Sequence, residues 1–194
     1  MKYIYFILII VIGLNGNLYS WERSYSRGRR DVVISPEFIY PVGEYAEISD
    51  PGYGGIFSYF FDSSSTALEF GFFYLPGIDE LETEGRSLEH SYIGTAAFKH
   101  GWPFRPFRHF IITPYLSAGA AYINLKYTTR SVLLPEDEEY DENGVDPMLS
   151  ASVSFDWRLP GDIILGLNAG YGILVEEKKE FQFLKTGINL GVRF

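Results

Sequence analysis

The chain has 194 residues, a formal net charge of −9, 16 Phe, 15 Tyr, 20 Gly and no Cys. The lack of cysteine excludes a disulfide scaffold, a thiolate zinc site and a cysteine nucleophile, and the acidic balance argues against a nucleic-acid partner. One domain is expected at this length, and the aromatic and glycine content favours strands joined by tight turns.

The first twenty residues are predicted to be a secretory signal peptide. Met1 and Lys2 give a positive start, residues 3–14 are uncharged and mostly apolar, and residues 15–20 are small or polar. This is the order of regions in a signal peptide. An apolar run of this length is too short to cross ~30 Å of hydrocarbon as a helix. A retained N-terminal anchor helix is the alternative.

Residues 21–30 are predicted to be a basic tail that precedes a domain at 31–194. The arginines of the tail are Arg23, Arg27, Arg29 and Arg30. Arg105 and Arg108 are expected to join them in a basic rim at the periplasmic end of the domain. Two interpretations remain open, a flexible tail and a segment attracted to anionic lipid headgroups, where each charge contributes ~1 kcal/mol near the surface.

The domain contains eight segments in which apolar residues alternate with small or polar ones, a pattern that predicts β-strands. In chain order they cover residues 32–40, 53–61, 67–75, 88–98, 112–125, 149–157, 163–173 and 184–194. The last is the clearest, because Leu184 and Thr186 share one face while Lys185 and Gly187 share the other. The phase of residues 88–98 is ambiguous. The lengths are close to the ~9–11 residues that a tilted strand needs to cross a bilayer.

The connections between these segments alternate in length. The short connections are 62–66, 99–110 and 158–162, and the longer ones are 42–52, 76–87, 126–147 and 175–180. Short turns on one side and longer loops on the other are typical of bacterial outer-membrane barrels. Most of the acidic residues lie in the longer set, so the charge follows the predicted topology. The connection at 99–110 is longer than the other two short connections. Its prolines and aromatic residues indicate a position at the membrane surface.

The two faces of the segments indicate which side of the barrel is wet. A soluble barrel such as a lipocalin would carry many charged residues on its outer face, whereas here the polar face is mostly Gly, Ser, Asn and single charges. Small residues suit the crowded interior of an eight-stranded barrel, and the wide apolar face suits lipid. The sequence therefore predicts an all-β fold, an eight-stranded antiparallel up-and-down transmembrane β-barrel.

Three segments resemble small bacterial outer-membrane β-barrel proteins of the OmpA/OmpX type. The chain ends at Phe194 after Ile188, Leu190 and Val192 at alternate positions, and the other two segments are PYLSAGAAY at 114–122 and the hairpin at 52–74. The resemblance covers residues 31–194 and concerns an architecture. It implies a monomer in the outer membrane, in contact with lipopolysaccharide or an equivalent lipid. It also implies that the barrel-assembly machinery reads the terminal aromatic strand.

Five charged residues are predicted to face the barrel interior: Glu37, Glu69, Asp156, Lys185 and Arg193. The first and last strands must be neighbours in a closed barrel, so Glu37 is expected near Lys185 or Arg193. Buried charges require ionic and hydrogen-bonding partners. Such a network either fills the lumen or lines a gated polar path, and an eight-stranded lumen is too narrow for a permanent wide pore.

The richest acidic stretch is predicted to be an outward loop. Its acidic residues are Glu136, Asp137, Glu138, Glu139, Asp141, Glu142 and Asp146. Oxygen ligands at this density could hold Ca²⁺, and the spacing of Glu139, Asp141 and Asn143 loosely resembles a calcium loop. However, Ser150 stands where that loop has its bidentate glutamate. A solvated acidic loop is therefore favoured, and no metal or cofactor is predicted.

His90 and Ser91, next to Glu89, invite comparison with the outer-membrane lipid A deacylases. That family resembles the chain in barrel size and uses a His-x-Ser pair with a nearby Glu. Here the two residues are adjacent, so they point to opposite faces of a strand and the base cannot serve the nucleophile. No catalytic residue is predicted, and His100 and His109 are expected to be interfacial.

The predicted function is non-enzymatic: a structural or surface-contact, adhesin-like role through the acidic outward loops. The main alternative is a narrow channel for small or apolar solutes. A soluble lipid-binding barrel in the periplasm and a lipid A-modifying enzyme are further alternatives.

Overall fold

The structure is a computed structural model that describes residues 30–43, 46, 49–62, 65–77, 85–130, 138–175 and 180–194. The predicted signal peptide and residues 21–29 of the basic tail lie outside this part of the chain. The described strands are β1 (Asp31–Val42), β2 (Gly52–Asp62), β3 (Thr66–Pro76), β4 (Gly85–Gly101), β5 (Phe104–Phe107), β6 (Phe110–Arg130), β7 (Glu138–Leu159), β8 (Ile163–Val175) and β9 (Glu180–Arg193). No helix in the described ranges is long and apolar enough to span a membrane.

Eight of these strands close into one antiparallel barrel. The order is β4-β3-β2-β1-β9-β8-β7-β6, and pairing of β4 with β6 completes the circle. The short strand β5 pairs only with the start of β6 within the described chain. The predicted all-β, eight-stranded up-and-down barrel is confirmed. Closure pairs the backbone of every wall strand on both sides, which removes the exposed edges of an open sheet.

The first and last strands form the seam of the barrel, as expected. The ladder between β1 and β9 runs from Asp31 opposite Arg193 to Val42 opposite Gln182. Below it, the backbones of Arg30 and Phe194 exchange two hydrogen bonds of 3.0 Å. The ends of the described domain therefore meet at one end of the barrel, together with the short turns that follow β2 and β7.

The outward positions of the barrel wall are mostly apolar, whereas the inward positions carry the buried polar residues together with buried apolar ones. On β3, Phe70 and Phe72 are exposed, whereas Glu69 of the same strand is only 1% exposed. The ambiguous phase of β4 is settled by the structure, which buries Ser91 and exposes Tyr92. The alternation follows from the strand period of two, since one set of side chains must enter the lumen once the sheet closes.

Two connections differ from the sequence-based prediction. Strands β6 and β7 pair as far as Thr129 opposite Glu138, so the acidic segment is part of a strand at its described end. The loop prediction is wrong for Glu138, Glu139, Asp141, Glu142 and Asp146, while Glu136 and Asp137 lie outside the described residues. Tyrosines and threonines, which favour strands, continue the ladder beyond the barrel wall. The connection at 99–110 also contains an unpredicted strand, β5.

Glycine is required at position 187 of the seam, where a larger residue would collide with β1. Gly187 lies opposite Glu37 in the seam. A Cβ atom at Gly187 would meet the carbonyl oxygen of Pro36 and would lie 2.6 Å from Cγ of Glu37. The backbone of β1 cannot yield without disturbing the ladder that closes the barrel.

We predict that Gly187→Ala destabilises the folded barrel by about 1–3 kcal/mol, the usual cost of forcing atoms into a packed site. The measurement is urea unfolding in detergent micelles, followed by gel migration with and without heating. Gly94→Ala is the matched control, because a Cβ there meets nothing within 4 Å. Equal stability of the two variants would contradict the seam packing described here.

Candidate functional site

The end of the barrel that bears the long connections is filled by apolar side chains, which we call the upper plug. Its buried members are Ile39, Ile56, Phe73, Leu75, Ile93, Ala97, Ala121, Ile123, Met148, Leu174, Phe181 and Phe183. They come from all eight wall strands. Eight strands enclose a space that side chains of this size fill, so the upper plug blocks the lumen from this end.

A second apolar cluster, the lower plug, lies near the end where the described termini meet. It consists of Val33, Phe60, Ala67, Tyr115 and Ile164. Polar residues of the interior that include Glu37, Glu69 and Lys185 occupy the strand positions between the two plugs, whereas Asp31 and Arg193 lie beyond Val33 at the end of the seam. The polar layer is therefore enclosed above and below by apolar packing.

The polar layer contains an alternating chain of acids and lysines. Lys99 Nζ lies 2.8 Å from Glu69 Oε2, and Lys185 Nζ lies 3.7 Å from Glu69 Oε1 and 4.0 Å from Glu37 Oε2. The Lys99 ammonium also lies 4.5 Å from the centre of the Tyr115 ring. Each charge thus has an opposite charge nearby, which is the condition for holding ions away from water.

A hydrogen-bond network holds the third interior carboxylate. Asn189 Nδ2 donates to Asp156 Oδ1 at 2.8 Å, and Ser154 Oγ donates to Asp156 Oδ2 at 2.6 Å. The Asn189 amide oxygen in turn accepts hydrogen bonds from Ser35 Oγ and Asn168 Nδ2. The network ties β1, β7, β8 and β9 together inside the barrel.

Arg193 makes a different ion pair from those expected. Its guanidinium donates two hydrogen bonds of 2.8 Å to the carboxylate of Asp31. Of the two expected neighbours of Glu37, only Lys185 approaches it. The fork geometry of such an arginine–carboxylate pair fixes both side chains, so it fastens the ends of the seam.

Sequence reasoning missed interior charges that include Asp31 and Lys99, because both lie just outside the predicted strand segments. A signal for them existed. Asp31 has the same parity along β1 as Glu37, and Lys99 has the same parity along β4 as the buried residues Ser91 and Ala97. Extending each predicted segment by one residue would have placed both in the lumen.

A small cavity of about 30 Å³ lies beside this network. It is lined by residues that include Glu37, Asn168 and Lys185. Within the described part of the chain, Glu37 Oε2 and Asn168 Oδ1 have no hydrogen-bond partner. A polar cavity of this volume has the size of one or two water molecules, so it is far too small for a solute.

Three strands continue past the barrel as a feature we call the protruding sheet. It comprises residues 85–89 of β4, residues 122–130 of β6 and residues 138–146 of β7, and it begins at the level of the upper plug, where Ile123 still faces the lumen. On one side β3 ends at Pro76, opposite His90. On the other side β8 pairs with β7 only from Met148 onward. Beyond these points the described ladders join the three strands only to one another, apart from a backbone hydrogen bond of 3.0 Å from Gly77 N–H to the carbonyl oxygen of Glu89.

Polar side chains connect the strands of the protruding sheet. Tyr122 Oη and Asn124 Nδ2 both donate to the amide oxygen of Asn143, at 2.9 and 2.5 Å. Lys126 Nζ lies 3.3 Å from Glu89 Oε2. The amide oxygen of Asn143, proposed above in a calcium-like spacing, therefore already accepts two hydrogen bonds. No group of three potential metal ligands occurs among the side chains that the structure describes.

The outer edge of β7 is the chemically distinctive part of the protruding sheet. From Glu138 to Asp146 its backbone pairs with β6 on one side and with no described strand on the other. The segment contains five acidic residues and no basic one. Val145 is 69% exposed. Unpaired N–H and C=O groups on a strand edge are a template for another extended chain.

The histidines and the serine singled out in the sequence are separated by the fold. Ser91 is buried in the lumen, whereas the His90 ring packs against Tyr74 and Tyr92. His100 bonds to Thr66 and packs edge-on against Trp102. The carbonyl of His109 accepts a hydrogen bond from the backbone of Arg158.

The terminal strand places its aromatic end on the outer wall. Phe194 is exposed, and so are Ile188, Leu190 and Val192 before it. The row is continuous along the outside of β9. Its role as an insertion signal stays a prediction.

We predict that Glu69→Gln lowers the free energy of unfolding by about 3–5 kcal/mol, because it leaves Lys99 and Lys185 poorly compensated in the polar layer. A double-mutant cycle with Lys99→Met, measured by urea unfolding in micelles, isolates the pair. The coupling free energy of Glu69 and Lys99 should exceed that of the more exposed pair Glu89 and Lys126, measured with Glu89→Gln and Lys126→Met. The coupling of the second pair is expected to be about 1 kcal/mol or less. Similar coupling in both cycles would contradict the enclosed polar layer.

Comparison with known proteins supports the fold through structure rather than through sequence. No protein-family model matches the chain, and no curated protein matches it. The β-barrel domain of OprF from Pseudomonas aeruginosa is 14% identical, with a TM-score of 0.50, and the match covers 83% of this chain and 96% of that one. Neisserial surface protein A is 11% identical, with a TM-score of 0.51 and coverages of 86% and 97%.

At these identities the likeness concerns the fold alone. The matches cover most of the chain, as expected if all eight wall strands correspond to those of the known barrels. They agree with the resemblance that the terminal strand indicates. The chain has the fold of the small eight-stranded outer-membrane β-barrels, an architecture of the OmpA/OmpX type.

Proposed function

We propose that the protein is a closed barrel of the bacterial outer membrane whose protruding sheet contacts a partner outside the cell. The observation that carries this proposal is the length of β4, β6 and β7, which continue as a paired sheet where their neighbours end. A barrel needs no such extension to close or to span a bilayer. The residues that continue as a paired sheet beyond the barrel wall therefore support a role outside the membrane.

The outer wall supports the membrane location. At the level of the two plugs, the outward positions of the described strands carry no Asp, Glu, Lys or Arg. Large apolar side chains such as Phe72, Leu167 and Leu190 are about half exposed there. Soluble proteins rarely leave a continuous apolar surface of this extent in water, so a soluble lipid-binding barrel is disfavoured. Export by the predicted signal peptide is part of the proposal.

The interior supports a closed lumen rather than a channel. Charged residues inside the barrel favour a polar path, and they are the reason to keep the channel as a second candidate. However, the upper and lower plugs enclose the polar layer, and the cavity within it has room for only one or two waters. Conduction would require the apolar packing at both ends to open.

We predict that the purified protein gives no steady open level in planar-bilayer recordings, because two apolar plugs separate the polar layer from both solutions. A known porin recorded under the same conditions is the positive control. A steady conductance that Glu37→Ala or Lys185→Ala abolishes would establish the channel and overturn the closed barrel.

The chemistry of the β7 edge indicates the kind of partner. Its backbone, which pairs with no described strand on this side, fits an extended chain, and its five acidic residues favour a basic one. Opposite charge also speeds the encounter of the two surfaces. A second copy of the same edge would bring acidic residues opposite each other. We therefore propose a basic, extended segment of an external protein as the partner.

Shortening the protruding sheet tests this proposal. Residues 127–140 are replaced by Asn-Gly, a two-residue turn that suits a hairpin. Lys126 and Asp141 are opposite each other in the ladder, so the exchange preserves the register. We predict at least a tenfold weaker binding of cells that express this variant to immobilised lysozyme, a basic protein. The measurement is the number of cells retained against flow.

A second variant separates the contribution of the strand edge to binding from the contribution of its acidic side chains. In it, Glu138, Glu139, Asp141, Glu142 and Asp146 are exchanged for the corresponding amides, which leaves the ladder in place. We expect intermediate binding, because the unpaired edge remains. Acetylated lysozyme should bind weakly to all forms. Undiminished binding by the shortened variant, with normal heat-modifiable gel migration, would refute the contact surface.

The remaining features of the proposal concern assembly and chemistry. We infer a non-enzymatic role, supported by the placement of His90 and Ser91 on opposite faces. We further infer that the barrel-assembly machinery reads the exposed row that ends at Phe194. One chain closes the barrel by itself, so the proposal requires only a monomer.

A further inference from the structure

Two oxygen atoms beside the small cavity of the polar layer need hydrogen-bond donors. Glu37 Oε2 and Asn168 Oδ1 are buried, and within the described part of the chain neither has a hydrogen-bond partner. Both residues line the cavity, and only 4% of Glu37 is exposed. Leaving a buried acceptor without a donor is costly in free energy. The two oxygen atoms therefore indicate that a molecule in the cavity donates hydrogen bonds to them.

Lys185 has the complementary need, because it is a buried donor whose acceptors are distant. Its Nζ atom lies 3.7 Å from Glu69 Oε1 and 4.0 Å from Glu37 Oε2. Both distances exceed the roughly 2.7–3.2 Å of a direct hydrogen bond from nitrogen to oxygen. An ammonium group has three hydrogens to donate, and Lys185 also lines the cavity. A gap of this width is one that a water molecule can bridge.

The strand register explains why there is space between these groups. In one row across the wall, Gly187 of β9 lies between Glu37 of β1 and Asn168 of β8. In a neighbouring row, Gly170 of β8 lies opposite Lys185 of β9. A Cβ atom at Gly187 would lie 2.6 Å from Cγ of Glu37, and one at Gly170 would lie 3.2 Å from Cε of Lys185. The two glycines therefore leave room for the polar side chains and for the cavity beside them.

The lining of the cavity favours a small, neutral occupant. Its volume of about 30 Å³ admits one or two water molecules. The carboxylates of Glu37 and Asp156 oppose an anion there, and the ammonium groups of Lys99 and Lys185 oppose a cation. A water molecule is neutral, and it can accept a hydrogen bond while it donates two. These capacities match one donor and two acceptors.

We propose that the barrel encloses a structural water molecule at this position. The water accepts a hydrogen bond from Lys185 Nζ and donates to Glu37 Oε2 and Asn168 Oδ1. Buried waters typically make about three hydrogen bonds of this kind. This water joins two parts of the interior, the chain of acids and lysines that ends at Glu37 and the amide network around Asn189. It is therefore a bound component of the polar layer.

The two plugs separate this water from the solutions on both sides of the barrel. Apolar packing lies above and below the polar layer, and water crosses such packing only when it opens. We therefore expect the enclosed water to remain in place for much longer than the protein takes to tumble in solution.

A crystal structure at a resolution that shows ordered solvent tests the position of the water. We expect an ordered water within about 3.2 Å of Lys185 Nζ, Glu37 Oε2 and Asn168 Oδ1. Crystals grown in a rubidium salt separate water from a monovalent cation, because rubidium gives an anomalous signal and water gives none. An anomalous peak at this position would overturn the proposal. Direct contact of the three side chains across a collapsed cavity would overturn it as well.

Proton NMR in detergent micelles tests the enclosure of the water and does not depend on the folding of any variant. The probes are the α-protons of Gly187 and the γ-protons of Glu37, which are bound to carbon and do not exchange with solvent. We expect cross-relaxation between these protons and a signal at the water frequency, with the sign that a long-lived complex gives. Missing cross-peaks, or the opposite sign given by rapidly moving solvent, would overturn the enclosed water.

Asn168→Leu tests the assigned hydrogen bonds. It removes one of the two acceptors and places an apolar side chain beside the cavity, so we expect the cross-peaks between water and Gly187 to be lost. Ser117→Ala is the matched control, because it also removes a buried polar group from the lumen, but Ser117 bonds to Ser150. The control should keep the cross-peaks. Heat-modifiable gel migration shows whether each variant has folded, and a folded Asn168→Leu barrel that keeps them would refute the site.

Discussion

The structure depends on the ladder between β1 and β9, because it converts an open sheet into a closed one. In hydrocarbon there is no water to satisfy main-chain groups, so a spanning sheet must pair every strand on both sides. The ladder from Asp31 to Val42 completes that pairing. Closure then divides the side chains of each strand into an outer and an inner set, and it makes the close approach at Gly187 unavoidable.

The number of strands decides what the inner set does. Eight strands leave a space that side chains fill, and the two plugs fill it at both ends. The acids and lysines between them have to neutralise one another, as Glu69 does with Lys99 and Lys185. The charges that first suggested a path through the barrel thus serve to pack its centre. The proposed function therefore assigns interactions with other molecules to the outside of the barrel.

The two ends of the molecule are unlike each other. At one end β4, β6 and β7 extend into a sheet whose outer strand, β7, contains five acidic residues from Glu138 to Asp146, and at the other end the ends of the described domain meet beside the connection that contains Arg105 and Arg108. An acidic surface avoids anionic lipid headgroups. The proposed contact surface therefore suits a position away from the membrane surface.

The sequence by itself determined the number of wall strands, which residues share a face on every wall strand except β4, and the presence of Glu37 and Lys185 in the lumen. These are consequences of a period of two, which is a local property of the chain. Tertiary structure decided the rest. Arg193 pairs with Asp31 because of the register between strands far apart in the sequence. Strand ends were also beyond local reasoning, because a strand continues for as long as its neighbour pairs with it. That is why Lys99 entered the lumen and the acidic segment joined β7.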